Sequence, residues 1–115
     1  MRDFRKLEIW TEAVTLAKKI YEVSNRFPSQ EKYGMCSQMT RAVVSIASNI
    51  AEGCSRKTSL EFSRFLDIAL GSSFELETQI EICKQVGYLT EDVYQNLLQD
   101  LHLLQKRINA FRGTI

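Results

Sequence analysis

This 115-residue sequence predicts an all-α fold, an up-down-up-down antiparallel bundle of four helices, on three observations. Apolar residues recur every three or four positions through four long segments, the spacing of a single helix face. One proline and five glycines leave little material for the turns of a multi-stranded β fold. The connections between the segments are short, and short connections make successive helices antiparallel neighbours. The length fits one domain, residues 1–115, able to bury a core without disulfides or metals.

The first helix is expected over about 6–26, where Leu7, Trp10, Val14, Ala17 and Tyr21 step by three or four beside Ala13 and Ile20. It must end before Pro28, because the residue preceding a proline avoids the α region. Ser29 then offers an N-cap, and the second helix is expected over 30–53. Its stripe is Met39, Ala42, Val43, Ile46, Ala47, Ile50 and Ala51, and Gly53 is placed to take a left-handed terminal position. Thr58-Ser-Leu-Glu61 reads as a capping box opening the third helix, 58–86. Phe62, Phe65, Leu66, Ala69, Leu76, Ile80 and Cys83 form its stripe, and Gly87 stops it. At roughly 28 residues it would span about 42 Å, so the bundle should be elongated. Thr90 caps the fourth helix, 90–112, whose Tyr94, Leu97, Leu101, Leu104, Ile108 and Phe111 make a heptad-like seam.

The second helix carries a further periodic face of Arg41, Ser45, Asn49 and Glu52, with Ser48 alongside. Folding the second helix back on the third sets Arg41 opposite Glu75, Ser45 opposite Ser72 and Glu52 near Arg64. The run Gly71-Ser72-Ser73 at that level permits close backbone approach. These residues (Arg41, Ser45, Asn49, Glu52, Ser72 and Glu75) are expected to form a structural polar seam with Arg41–Glu75 as its charged centre, because buried charges need partners. The alternative is a face turned simply to water. Spacing does not decide whether the seam lies within one chain or between subunits.

No constellation for catalysis stands out, and no enzyme activity, catalytic residue, metal or cofactor is expected. His102 is the only histidine, so a site with two imidazoles is impossible. Glu75, Glu77 and Glu81 share a helix, but the Glu-x-x-His pattern of di-iron bundles is absent and a solvated acidic face is the simpler reading. Trp10 reads as packing. Cys36, Cys54 and Cys83 are odd in number and widely spaced, as expected for reduced thiols in a cytoplasmic protein. No apolar run reaches membrane length.

Net charge is only +1, so contact with nucleic acid would need a local patch. The predicted topology supplies one. It gathers Arg2, Arg5, Lys6, Arg56, Lys57, Arg64, Lys106, Arg107 and Arg112 at one pole, against Asp3, Glu8, Glu52 and Glu61. The opposite pole is acidic. A parallel ring of subunits would turn the basic pole into a rim suited to phosphates; ordinary scatter of solubilising charge is the alternative.

Nearly the whole chain resembles one known family. The resemblance is carried by Phe4, Leu7, Trp10 and Ala13, by Phe27-Pro28, by Arg41-Ala42, Ser45-Ile46 and Ser48-Asn-Ile-Ala-Glu-Gly53, and by Gly71-Ser72, Glu75-Leu-Glu77 and Gly87-Tyr88-Leu89. On these landmarks the chain is similar to the 23S ribosomal RNA intervening-sequence proteins. The resemblance implies a helical bundle that assembles with itself, often as a homopentameric barrel. Some members are encoded by insertions in 23S rRNA genes. A related branch, the accessory proteins of diversity-generating retroelements, binds nucleic acid and partners a reverse transcriptase. That branch is strongly basic, and this chain departs from it in being nearly neutral. The expected function is therefore a non-enzymatic oligomer whose basic rim contacts RNA or a nucleoprotein partner; the alternative is a protein-interaction scaffold that binds no nucleic acid.

Overall fold

The computed structural model describes residues 2–115. Four helices, α1 (Glu8–Ser24), α2 (Met35–Cys54), α3 (Ser59–Gln85) and α4 (Glu91–Arg112), form a four-helix bundle, with no strand among the described residues. The bundle measures 44 × 24 × 20 Å. Its length is that of α3, whose 27 residues span about 40 Å. α2 packs on α1 and α3, α4 packs on α3 and α1, and the diagonal helices make no close backbone contact. Side-chain bonds tie α2 to α3 at Ser45–Ser72. They tie α3 to α4 at Asp67–Arg112, Glu77–Gln105 and Lys84–Glu91, and α1 to α4 at Glu12–Arg107 and Lys19–Asp100.

The caps at α3 and α4 form as their sequences dictate. Thr58 Oγ1 accepts from the Glu61 amide at 3.1 Å, and Thr90 Oγ1 from the Val93 amide at 3.3 Å. α3 ends in a Schellman turn. Gly87 takes φ +84°, the Tyr88 amide donates to the Cys83 carbonyl at 2.8 Å, and the Gly87 amide donates to Lys84 at 3.2 Å.

The first two helices differ from expectation at their starts. Phe4–Lys6 form a separate 3-10 turn, and Leu7 is extended at φ −85°, ψ 126°, so α1 begins only at Glu8. Ser29–Glu31 form a second 3-10 turn and Gly34 (φ −107°, ψ −109°) breaks the chain, so α2 starts at Met35 rather than 30. Glu31 takes over the capping expected of Ser29, accepting from the Met35 amide at 3.3 Å. Gly53 is not a left-handed terminus. The helix runs through it to Cys54, and Gly87 is the only described residue with positive φ. Gly53 is small because α3 crosses there: a Cβ would lie 2.7 Å from Phe62 Cδ1 and 3.0 Å from Phe65 Cβ.

The core is built by Met39, Ala42, Val43, Ile46 and Ile50 of α2, Phe62, Leu66, Ala69, Leu76, Ile80 and Cys83 of α3, and Leu97, Leu101, Leu104 and Ile108 of α4. From α1 it takes Ile9, Ala13, Leu16 and Ile20, a stripe rotated from the expected one. Trp10 and Ala17 sit at its edge, whereas Val14 and Tyr21 are 42% and 50% exposed. The α-helical period accommodates both arcs, and burial selects the one richer in branched aliphatic side chains.

Candidate nucleic-acid interface

The basic pole is assembled where the chain's first residues meet the α2–α3 turn. The Arg2 amide donates to the Cys54 carbonyl at 3.2 Å, anchoring the N-terminal segment beside that turn. The nine expected cations then fall into two groups. Three are neutralised within the chain: Arg5 by Asp3 at 2.9 Å, Arg107 by Glu12, and Arg112 by Asp67 at 2.9 Å. The bond from Arg5 holds the Asp3 carboxyl below the usual carboxylate range. Arg2, Lys6, Arg56, Lys57, Arg64 and Lys106 are exposed and have no ion-pair partner among the described residues.

Three of these six converge. Arg2, Arg56 and Lys57 line a cleft of about 110 Å³ with Thr58, the N-cap of α3, with Ser59, its first residue, and with Phe62. Aromatic rings support the guanidinium groups. Arg56 lies 4.7 Å from the Phe65 centroid, and Arg2 lies 5.4 Å from Phe111 and 6.0 Å from Phe62. Stacking on a ring orients a guanidinium while leaving its N–H edge open, the edge that matches a phosphate. The helix start adds partial positive charge to the same cleft. Sequence reasoning found the cations but missed Phe62, Phe65 and Phe111 as their supports. Arg56 and Phe65 are joined across a turn, a relation with no periodic signature.

The expected seam is divided. Ser45 Oγ lies 2.8 Å from Ser72 Oγ, and Asn49 Nδ2 donates to the Ser45 carbonyl at 2.8 Å and to Ser45 Oγ at 3.0 Å. These three residues form an ordered, half-buried contact between α2 and α3. Arg41, Glu75, Glu52 and Arg64 do not join it. All four are exposed, and no ion pair joins Arg41 to Glu75 or Glu52 to Arg64. Arg41 and Glu75 sit on the outer rims of their helices, where water already solvates each charge and little is gained by pairing. The small residue at Gly71 does not serve the α2–α3 contact either, since a Cβ there would meet nothing within 4 Å.

Glu77 and Glu81 of α3 face α4 in a groove lined with Phe74, Tyr94, Leu98 and His102, whereas Glu75 lies on the α2 side. Glu77 accepts from Gln105 at 3.0 Å and lies 3.1 Å from His102 Nε2. Glu81 accepts from Tyr94 and from Gln85. These bonds hold both carboxyls below the ordinary range and make them structural links between helices. The buried thiols are driven the other way, with Cys83 pushed up to about 11 by burial. Among the described residues no group of three or more His, Cys, Asp or Glu is placed to hold a metal ion, and no helix is long and apolar enough to cross a membrane.

Comparison with known proteins agrees with this architecture. A crystal structure of a protein of unknown function from the S23 ribosomal protein family of Bacteroides thetaiotaomicron superposes with a TM-score of 0.81. It is 23% identical, and the match covers 90% of this chain and 97% of that one, so the likeness speaks to the fold. No curated protein matches. Neither the matching family nor that structure carries the name of an enzyme. The sequence pattern that defines the 23S rRNA-intervening sequence proteins matches residues 5–110, and the chain belongs to that family.

Proposed function

We propose that this protein is a non-enzymatic, self-assembling bundle that presents its basic pole to the phosphates of structured RNA. The observation carrying the reading is the cleft at the α2–α3 turn, where Arg2, Arg56 and Lys57 meet the start of α3 without acid partners. Cations spent on internal ion pairs release no counterions on binding; these do. The facing pairs of α1, α2, α3 and α4 support an up-down-up-down order, which brings both chain ends and the α2–α3 turn to that pole. Parallel association of five copies would repeat the cleft around a rim, and a reducing cytoplasm suits the three free thiols.

The test is fluorescence anisotropy with a structured RNA, titrated from low to physiological salt. With three free cations per cleft, log affinity should fall against log salt with a slope of about −2 to −3 for each cleft engaged. R56E/K57E should abolish most of that slope. Binding independent of salt, or unchanged in R56E/K57E, would falsify the reading. Absence of any RNA binding, with a protein captured instead, would favour a scaffold that recognises proteins.

A further inference from the structure

Three separate stretches of chain wall the cleft at the α2–α3 turn: Arg2, the run from Cys54 to Ser59, and Ile115. Its volume of about 110 Å³ is the space of roughly four waters, enough for one phosphoryl group and too little for a nucleotide base. No acidic side chain lines it.

Donors surround this space. Arg2 and Arg56 each present a guanidinium braced by an aromatic ring, and Lys57 adds an ammonium. At the start of α3 the Glu61 amide donates to Thr58 Oγ1 and the Phe62 amide to the Thr58 carbonyl, both at 3.1 Å. The amides of Ser59 and Leu60 and the Ser59 hydroxyl have no acceptor among the described residues.

Charge and oxygen count separate the two kinds of phosphate an RNA offers. A phosphodiester within a strand carries one negative charge, exposes two free oxygens and lets the strand leave on both sides. A terminal phosphate monoester carries about −1.5 to −2 at pH 7, exposes three oxygens and enters end-on. Three cations without acid partners match the monoester better, and a space walled by three stretches of chain favours a group that enters end-on.

We infer that this cleft holds the terminal phosphate monoester of an RNA strand. The forked edges of Arg2 and Arg56 take its oxygens, Lys57 balances its second charge, and the first amides of α3 complete the cradle. Arginine supplies two parallel N–H groups where lysine supplies a point charge, so Arg56 carries the distinction between a strand end and a passing backbone.

End recognition rests on the RNA contact proposed above, and the test separates the two. One internally labelled RNA hairpin with single-stranded tails is prepared in three forms of identical sequence: both ends hydroxyl, a 5′-monophosphate, or a 3′-monophosphate. Fluorescence anisotropy at physiological salt compares the forms on the natural protein and on R56K, which keeps the net charge. Arg56 is exposed at the turn, so R56K should fold, as circular dichroism would establish. A form bearing a monophosphate should bind about tenfold more tightly than the hydroxyl form, the worth of one charge-assisted hydrogen bond, and the favoured form identifies the end that is held. R56K should lose most of that advantage. Equal affinity for all three forms would overturn end recognition and leave the RNA contact standing. An advantage kept in full by R56K would reduce it to long-range attraction and overturn the cradle. No salt-dependent binding of any form would overturn both.

Discussion

At Gly53 the demand on one residue is steric. Phe62 and Phe65 occupy the space a methyl group would need, and neither can withdraw without opening the α2–α3 contact. Gly53→Ala should therefore destabilise by about 1–3 kcal/mol in chemical denaturation, despite the better helix propensity of alanine. Ser45→Ala removes the hydroxyl that bridges Asn49 and Ser72, with an expected loss of about 1 kcal/mol. Arg41→Ala, measured on the monomer by the same denaturation, should stay within about 0.5 kcal/mol, because the guanidinium is exposed and unpaired there. The Ser45–Ser72 contact was legible in sequence, since the hairpin register alone sets those positions opposite each other. The solvated state of Arg41 and Glu75 was not. Register places residues at the same height but does not say on which side of the helix contact they fall.

The helices form where their caps and stripes require, and the exceptions are local. Thr58, Thr90 and Gly87 were readable because cap chemistry depends on a few adjacent residues. Gly87→Ala places a side chain at φ +84° and should cost about 1–2 kcal/mol, read as a lower midpoint in urea. The delayed start of α2 was hidden because it depends on Glu31 folding back on Met35 and on the backbone at Gly34. The face of α1 was misread because Val14 and Tyr21 fit a helical period as well as Ile9 and Leu16 do. Only packing against α2 and α4 separates them. Between α3 and α4, Gln105 and His102 depress the Glu77 carboxyl. A depressed carboxyl stabilises the fold above its unfolded value, and that contribution is lost as pH falls through the folded value. Stability should therefore drop below about pH 4, and Glu77→Gln should flatten that part of the pH profile.

Across the whole molecule, three of the nine cations expected at one pole, Arg2, Arg56 and Lys57, line one cleft. The division of the nine into paired and unpaired members depended on Asp67 and Glu12, acids that lie farther along the bundle and were not counted with the pole. The thiols report on the integrity of the same fold. Burial raises the pKa of Cys54 and Cys83, so an aromatic disulfide reagent at neutral pH should label the native protein slowly and all three cysteines quickly once it unfolds.

The central claim is that RNA meets the cleft at the α2–α3 turn. Photo-crosslinking of the assembled protein to a thiouridine-substituted structured RNA, with peptides identified by mass spectrometry, addresses it most directly. Adducts should concentrate on the segment from Arg56 to Phe65 and on Arg2 and Phe111, and should disappear in R56E/K57E. Adducts confined to the acidic groove of α3 and α4, or none at a concentration where the protein is assembled, would contradict it.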